Sequence, residues 1–156
     1  MAESVATDIK LIIFELKGKE YAIPVHQVRS IEKMMHITRI PNIAPFVKGV
    51  INLRGVVTPI IDLRLRFALD ELEYSDRTRI IIITLNDMDV GLIVDGANDV
   101  VDVYEDTFEP SPEAAFGTEV DYINGVVKLE KRLLILVNLE KVFDREVLKT
   151  YMRSEG

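Results

Sequence analysis

The 156-residue chain contains no cysteine, no tryptophan and only two histidines, His26 and His36. The missing thiols exclude disulfides, thiolate metal sites and cysteine nucleophiles. No third ligand stands at metal spacing near either histidine, so neither metal nor other cofactor is expected, and both imidazoles read as surface or partly satisfied groups. There is no Walker loop and no Gly-x-Gly-x-x-Gly, which leaves a nucleotide cradle without support. Long apolar stretches are missing too. The longest, residues 133–137, has five residues, where a membrane-spanning helix needs about 20. Basic charge is in deficit, with 19 Lys and Arg against 26 Asp and Glu and a net charge of −7. Such a surface on average repels nucleic acid and anionic membranes, and the pairs Arg64/Arg66 and Arg77/Arg79 are too sparse to reverse that. Residues 1–8 carry Glu3 and Asp8 and no basic-then-apolar pattern, so no signal peptide is expected and the cytoplasm is the expected compartment.

What the chain does contain is short runs of Ile, Val and Leu separated by turn residues, the mark of a mostly β protein. Strands are expected over 10–16 and 20–24, joined by Lys17-Gly18-Lys19, and over 32–37, 49–53 and 56–62, the last two joined through Arg54-Gly55. The second half offers 79–85, 90–94 after the turn Asn86-Asp87, 99–103, 125–129 and 133–138. Val25, Val28 and Ile31 stand three apart, which predicts one helical turn over 25–31. A terminal amphipathic helix is expected over about 139–152, from Val142, Phe143, Val147 and Tyr151. Residues 108–120, with Pro110, Ser111, Pro112 and Gly117, read as a surface loop.

The chain is written twice. Val47-Lys48-Gly49-Val50-Ile51-Asn52-Leu53 aligns with Ile123-Asn124-Gly125-Val126-Val127-Lys128-Leu129, and without a gap Ile60-Ile61-Asp62-Leu63 falls on Leu136-Val137-Asn138-Leu139 and Phe67 on Phe143. Upstream, with small shifts, Leu11-Ile12-Ile13 falls on Ile81-Ile82-Ile83, Tyr21-Ala22-Ile23 on Val90-Gly91-Leu92, and Val28 with Ile31 on Ala97 with Val100. Each half, of about five short strands, is expected to curl into a small barrel, because closure disposes of strand edges. Two side-by-side subdomains follow, over about 10–70 and 79–140 within a single 1–156 domain. The chain is allowed to cross back between them at its ends.

Catalysis needs a convergent polar cluster, and the candidates are few. Asp95-Gly96 ends an apolar strand as an enzyme carboxylate can, but with no second carboxylate in a matching context the pair reads as a tight turn or cap. Asp62 and Asn138 hold equivalent places after an apolar strand, which predicts two helix N-caps. Gly49, Asn52, Arg54 and Gly55 form a segment in which glycine permits close backbone approach, and Arg54 is expected to tie one barrel to the other through backbone carbonyls. Val28, Ile31, Val94, Ala97 and Val100 fall, by the repeat, at corresponding ends of the two units. They line a groove for an apolar helix face, or they are core.

Lys19-Glu20-Tyr21-Ala22-Ile23, Thr38-Arg39-Ile40, the run from Val47 to Gly55, Pro59-Ile60-Ile61-Asp62-Leu63-Arg64 and Val94-Asp95 together resemble the CheW family of chemotaxis coupling proteins, from about Lys10 to Phe143. The resemblance implies two SH3-like five-stranded barrels, no enzymatic activity and no cofactor. It implies a scaffold, monomeric when isolated, that links the cytoplasmic tips of chemoreceptors to the regulatory domain of the histidine kinase CheA, recruited from the cytoplasm to membrane-associated receptor arrays. The receptor-binding groove then falls on Val28, Ser30, Gly49, Arg79, Val94 and Val100, with Arg54 in support. Ser30 and Arg79 depart from the acidic and the apolar residue expected there. Kinase contacts fall on Ile31 and Ile37 and on the loop at Pro112, Glu113 and Ala114. The alternative is a small oligonucleotide-binding barrel or another protein-interaction module. An aromatic content of 7% argues against the former, which interleaves aromatic and basic residues.

Overall fold

The structure, a computed structural model, describes residues 8–41, 44–104, 107–110 and 123–143. Four hairpins follow from four tight turns. β1 (Asp8–Leu16) meets β2 (Lys19–Pro24), β4 (Val47–Leu53) meets β5 (Val56–Asp62), β6 (Arg79–Leu85) meets β7 (Met88–Val94), and β10 (Ile123–Leu129) meets β11 (Arg132–Val137). Lys17 with Gly18, Arg54 with Gly55, and Asn86 with Asp87 take positive φ, the geometry whose twist matches a two-residue hairpin. The remaining strands are β3 (Val28–Lys33), β8 (Gly96–Tyr104) and β9 (Phe108–Pro110). Two short helices, α1 (Leu63–Arg66) and α2 (Leu139–Val142), begin where the two N-caps were expected: the Asp62 side chain accepts from the Arg64 and Leu65 amides, and the Asn138 side chain from the Lys141 amide.

The strands form one six-stranded sheet, in the order β8-β1-β2-β11-β10-β9, and one five-stranded sheet, β3-β6-β7-β5-β4. Neither follows the chain's halves. The first hairpin sits in the six-stranded sheet with the second half's strands, and β6-β7 sits in the five-stranded sheet with the first half's. Each displaced hairpin is sewn in by a parallel seam, β2 to β11 at Ala22 and Leu136, and β7 to β5 at Gly91 and Ile60. The repeat holds through this exchange. Register shifts at Val47/Gly49 and at Ile123/Gly125 place a bulge at the same point in both halves. One detail of the sequence alignment changes. Ile13 pairs with Ala22 while Ile82 pairs with Gly91, so Leu11-Ile12-Ile13 corresponds to Ile80-Ile81-Ile82, one residue earlier than expected. A one-residue slip exchanges the two faces of a strand.

The consecutive isoleucines of β6 are explained by three cores. Ile80 and Ile82 point into the five-stranded sheet's interior, with Ile51, Ile60 and Ile93. Ile81, Ile83 and Leu85 point the other way, into a central core shared by both sheets. β1 divides likewise, Leu11 and Ile13 inward to a cluster with Ala22, Val103, Val127, Leu134 and Leu136, and Phe14 and Leu16 to the central core. A strand buried on both faces reads as an unbroken apolar run. Among the described residues the central core has 18 buried members against seven and five for the two interiors. At about 1.5–3 kcal/mol per buried large side chain, most of the apolar stabilisation among the described residues lies between the sheets.

Three expected elements differ. The helical turn over 25–31 is a 3₁₀ turn, Val25–Gln27, followed by a strand. A register shift between Val28 and Ser30 leaves Val28 opposite Ile83 and Ile31 opposite Ile81, so a bulge, not a helix, puts residues three apart on one face. The strand expected over 32–37 ends at Lys33, because Met34, Met35 and Ile37 turn in to pack on the five-stranded sheet's interior. Beyond them Thr38 exchanges two backbone hydrogen bonds with Val50 of β4 (2.8 and 2.9 Å). That bridge joins the chain leaving one edge strand to the opposite edge strand, so the sheet rolls on itself. The loop expected over 108–120 begins instead as strand β9, Phe108–Pro110, because this segment pairs with β10; residues 111–120, and 144–152 of the expected terminal helix, lie outside the described residues.

Candidate functional site

The rows of side chains that cross the sheets run out from the central core to the surface at two related places. In the six-stranded sheet, Ile23 (0% exposed) neighbours Ile12 (6%), which neighbours Val100 (56%) on edge strand β8. In the five-stranded sheet, Leu92 (0%) neighbours Ile81 (0%), which neighbours Ile31 (42%) on edge strand β3. Ile31 and Val100 are thus counterparts under the repeat, both exposed on strands that continue a buried row. Val28, half-buried, ends the adjacent row from Val90 through Ile83 and packs on the central core. Single exposed apolar residues are ordinary; here two of them close equivalent rows.

The other groove candidates do different work. Val94 is buried in the central core, which decides its reading between groove and core. Gly49 is buried at φ +144, and a Cβ there would stand 2.1 Å from the Thr38 carbonyl oxygen, so its part is to let the Thr38–Val50 bridge form. Ser30 is half-buried on β3 opposite Ile82. Arg79 donates through Nη1 to the Asp76 and Thr78 carbonyls, 2.7 and 2.8 Å, fastening the turn before its own strand. Arg54 does not tie sheet to sheet. It donates through Nη2 to Glu32 Oε2 at 3.3 Å, within the five-stranded sheet, and so reinforces the approach of that sheet's two edges. Ile37 is half-buried against the five-stranded sheet's interior. Pro112, Glu113 and Ala114 lie outside the described residues.

A largely buried polar tie among the described residues centres on Asp95, which the sequence offers as a tight turn or as a functional carboxylate. Asp95, the single residue between β7 of one sheet and β8 of the other, takes three hydrogen bonds from the Arg64 guanidinium (2.7–3.0 Å) and one from the Lys17 amide (2.8 Å). Its own amide donates to the Glu15 carbonyl, and Arg64 Nη1 donates to the Asp70 carbonyl. Partial burial pushes the Asp95 carboxyl up, but the Arg64 hydrogen bonds, the Lys17 amide and the Arg64 charge hold it below the usual carboxylate range. Four chain segments are fixed at this crossover. The corresponding place on the other side, at His26, carries no such pair among the described residues. Asp95 is therefore engaged structurally, its carboxylate oxygens taken by Arg64 and by the Lys17 amide.

A family model described as the CheW-like domain matches residues 10–147. The chain belongs to the CheW-like family. It is similar to Chemotaxis protein CheW of Bacillus subtilis (strain 168), 50% identical over 146 residues that cover 94% of each chain. It is also similar to Chemotaxis protein CheW of Klebsiella aerogenes, 39% identical over 88% of this chain and 82% of the relative. Among solved structures, the scaffolding protein TtCheW from Thermoanaerobacter tengcongensis matches with a TM-score of 0.82 and 30% identity, over 90% of this chain and 96% of that one. The mostly β, two-sheet architecture is thus the CheW-like fold. Among the described residues of this CheW-like chain no helix is long and apolar enough to cross a membrane. The equivalence of Ile31 with Val100, already in the sequence alignment, gains meaning only when ladder register and exposure are known. The Arg64–Asp95 tie, between residues far apart in the chain, left no signal in spacing.

Proposed function

We propose that the protein is a non-enzymatic scaffold of chemotaxis signalling, which couples chemoreceptors to the regulatory domain of the histidine kinase CheA. The observation that carries this reading is 50% identity over 94% of both chains to a Chemotaxis protein CheW. The geometry supports it: the Arg64–Asp95 cluster is spent on holding a crossover, and two exposed apolar residues close equivalent rows from the shared core. Val100 and Val28 form the receptor side, shaped from behind by Val94 and by the bridge that Gly49 permits, with Ser30, Arg79 and Arg54 as its polar surroundings. Kinase contacts use Ile31 and Ile37 and the loop at Pro112, Glu113 and Ala114. Working in the cytoplasm, the protein joins membrane-associated receptor arrays through these contacts. Titration of the full chain with a receptor hairpin-tip fragment, and separately with the kinase regulatory domain, tests the reading. Binding of both, with Val100→Asp weakening the receptor fragment at least tenfold, is expected, as for a central interface residue. Failure of the wild-type chain to bind either partner would refute it.

A further inference from the structure

Residues 69–75 connect α1 to the turn before β6 without helix or strand. The segment is held at both ends. Arg64 fixes the Asp70 carbonyl at 2.8 Å, while the Thr78 hydroxyl accepts from the Ser75 amide at 2.8 Å and Arg79 holds the Asp76 carbonyl. Between these ends the attachments are few. Lys48 of β4 pairs with Glu71 at 3.0 Å, and the Tyr74 hydroxyl donates to Asp62 Oδ2 at 3.0 Å. Leu72 is 45% exposed, so no apolar anchor sinks the middle of the segment. Asp62 is buried, and its other oxygen caps α1, so this acceptor stays in place whether or not Tyr74 is bound. Tyr74 also walls a cleft of about 540 Å³, lined further by Ile37, Arg39, Val47 and Lys48.

We propose that residues 71–74 form a strap that opens between its two anchors without unfolding either sheet, latched by the Tyr74 hydroxyl on Asp62, and that opening exposes Val47, which is buried at the cleft. Segments with few buried apolar contacts open at lower free energy than the core they lie on. The outer Lys48–Glu71 pair is exposed enough for salt to screen it. The strap therefore sets access to a cleft that Ile37 shares, and salt loosens it.

The absence of native cysteine supplies the test. A Val47→Cys variant of the full chain carries one thiol on the cleft floor, and an Ile81→Cys variant carries one in the central core. Adding Tyr74→Phe is expected to speed maleimide labelling at position 47 about tenfold, the factor expected from losing one hydrogen bond to a charged acceptor. Raising sodium chloride to about 0.5 M speeds it further by screening the outer pair. Position 81 responds to neither. Hydrogen exchange of the Val47 amide, which donates to the Ala44 carbonyl at 2.9 Å, needs no cysteine and rises with Tyr74→Phe while the β6 amides stay unchanged. Equal acceleration at positions 47 and 81, or none at position 47 with unchanged Val47 exchange, would overturn the proposal.

Discussion

Two interiors built from one repeated motif are filled differently. The five-stranded sheet packs Ile51, Ile60, Ile80, Ile82 and Ile93 together and closes over them with Met34, Met35, Ile37 and Leu53. That crowding demands glycine at position 91, where a Cβ would stand 2.5 Å from Ile60 Cδ1 and 2.8 Å from Ile80 Cγ2. In the six-stranded sheet the equivalent position is Ala22, buried beside Leu11, Ile13 and Leu136. There a pocket of about 370 Å³, lined by Ile9, Leu11, Ala22, Phe108 and Leu136 among others, lies beside the cluster. The strand ladder is common to both halves. How each interior is filled is settled by the volumes of the neighbouring side chains, so equivalence under a repeat does not make two positions interchangeable.

Substitutions that exploit this contrast should range widely in effect. The largest loss is expected from Gly49→Ala, whose Cβ would meet backbone rather than a movable side chain. A cost of about 4 kcal/mol or more is expected, enough to abolish the cooperative transition in urea denaturation. Gly91→Ala forces isoleucine tips to move and should cost about 1–3 kcal/mol, whereas Ala22→Gly at the equivalent position should cost roughly 1 kcal/mol; paired denaturation curves measure both. The crossovers offer a second contrast. Asp95→Ala leaves the largely buried Arg64 guanidinium without its carboxylate and should cost about 2–3 kcal/mol, while Glu140→Gln, at the exposed counterpart of Arg64, should stay within about 0.5 kcal/mol.

The same tie has a pH signature. A carboxyl held below its ordinary value stabilises the fold above about pH 4 and loses that contribution as pH falls through its folded-state value. The gap in melting temperature between the wild type and Asp95→Asn should therefore be full at pH 7 and narrow steadily below about pH 4. A gap constant to pH 2 would mean that the ion pair contributes nothing. The smallest effect on stability is expected at the surface ends of the rows. Ile31→Asp and Val100→Asp should each shift unfolding by at most about 0.5 kcal/mol while separating the two partners in titration, Val100→Asp weakening the receptor fragment and Ile31→Asp the kinase domain. Loss of the same partner from both would assign the two counterparts to one surface.

Strands buried on both faces were legible in the sequence because an unbroken apolar run between turn residues admits few readings: 56–62 and 79–85 coincide with β5 and β6. The paired N-caps were legible as well, since a cap acts within three residues of itself. β3 was misread because a bulge counterfeits the three-residue spacing of a helix. The exchange of hairpins was out of reach of local pattern, as each hairpin has the same composition whichever sheet receives it. At the candidate site the repeat names the apolar residues as a group, but exposure separates Val100 from Val94, and exposure follows from register. Arg54 was given the wrong partner because its reach depends on where the rolled sheet brings Glu32.

The exchanged hairpins also dictate the order of events when the chain is made. The N-terminal hairpin leaves the ribosome with only its own two strands paired, and an isolated hairpin is marginal in water. Its neighbours β8 and β11 are synthesised much later, and the central core gains its last described members, Leu139, Val142 and Phe143, near the end of the described chain. Little of the native free energy is therefore available to a nascent chain before most of it has emerged. Folding is dominated by contacts between distant segments, which slows it relative to a chain of equal length with local pairing. A gene cut between the two repeats would yield two fragments, neither holding a complete sheet, that recover the fold only on meeting.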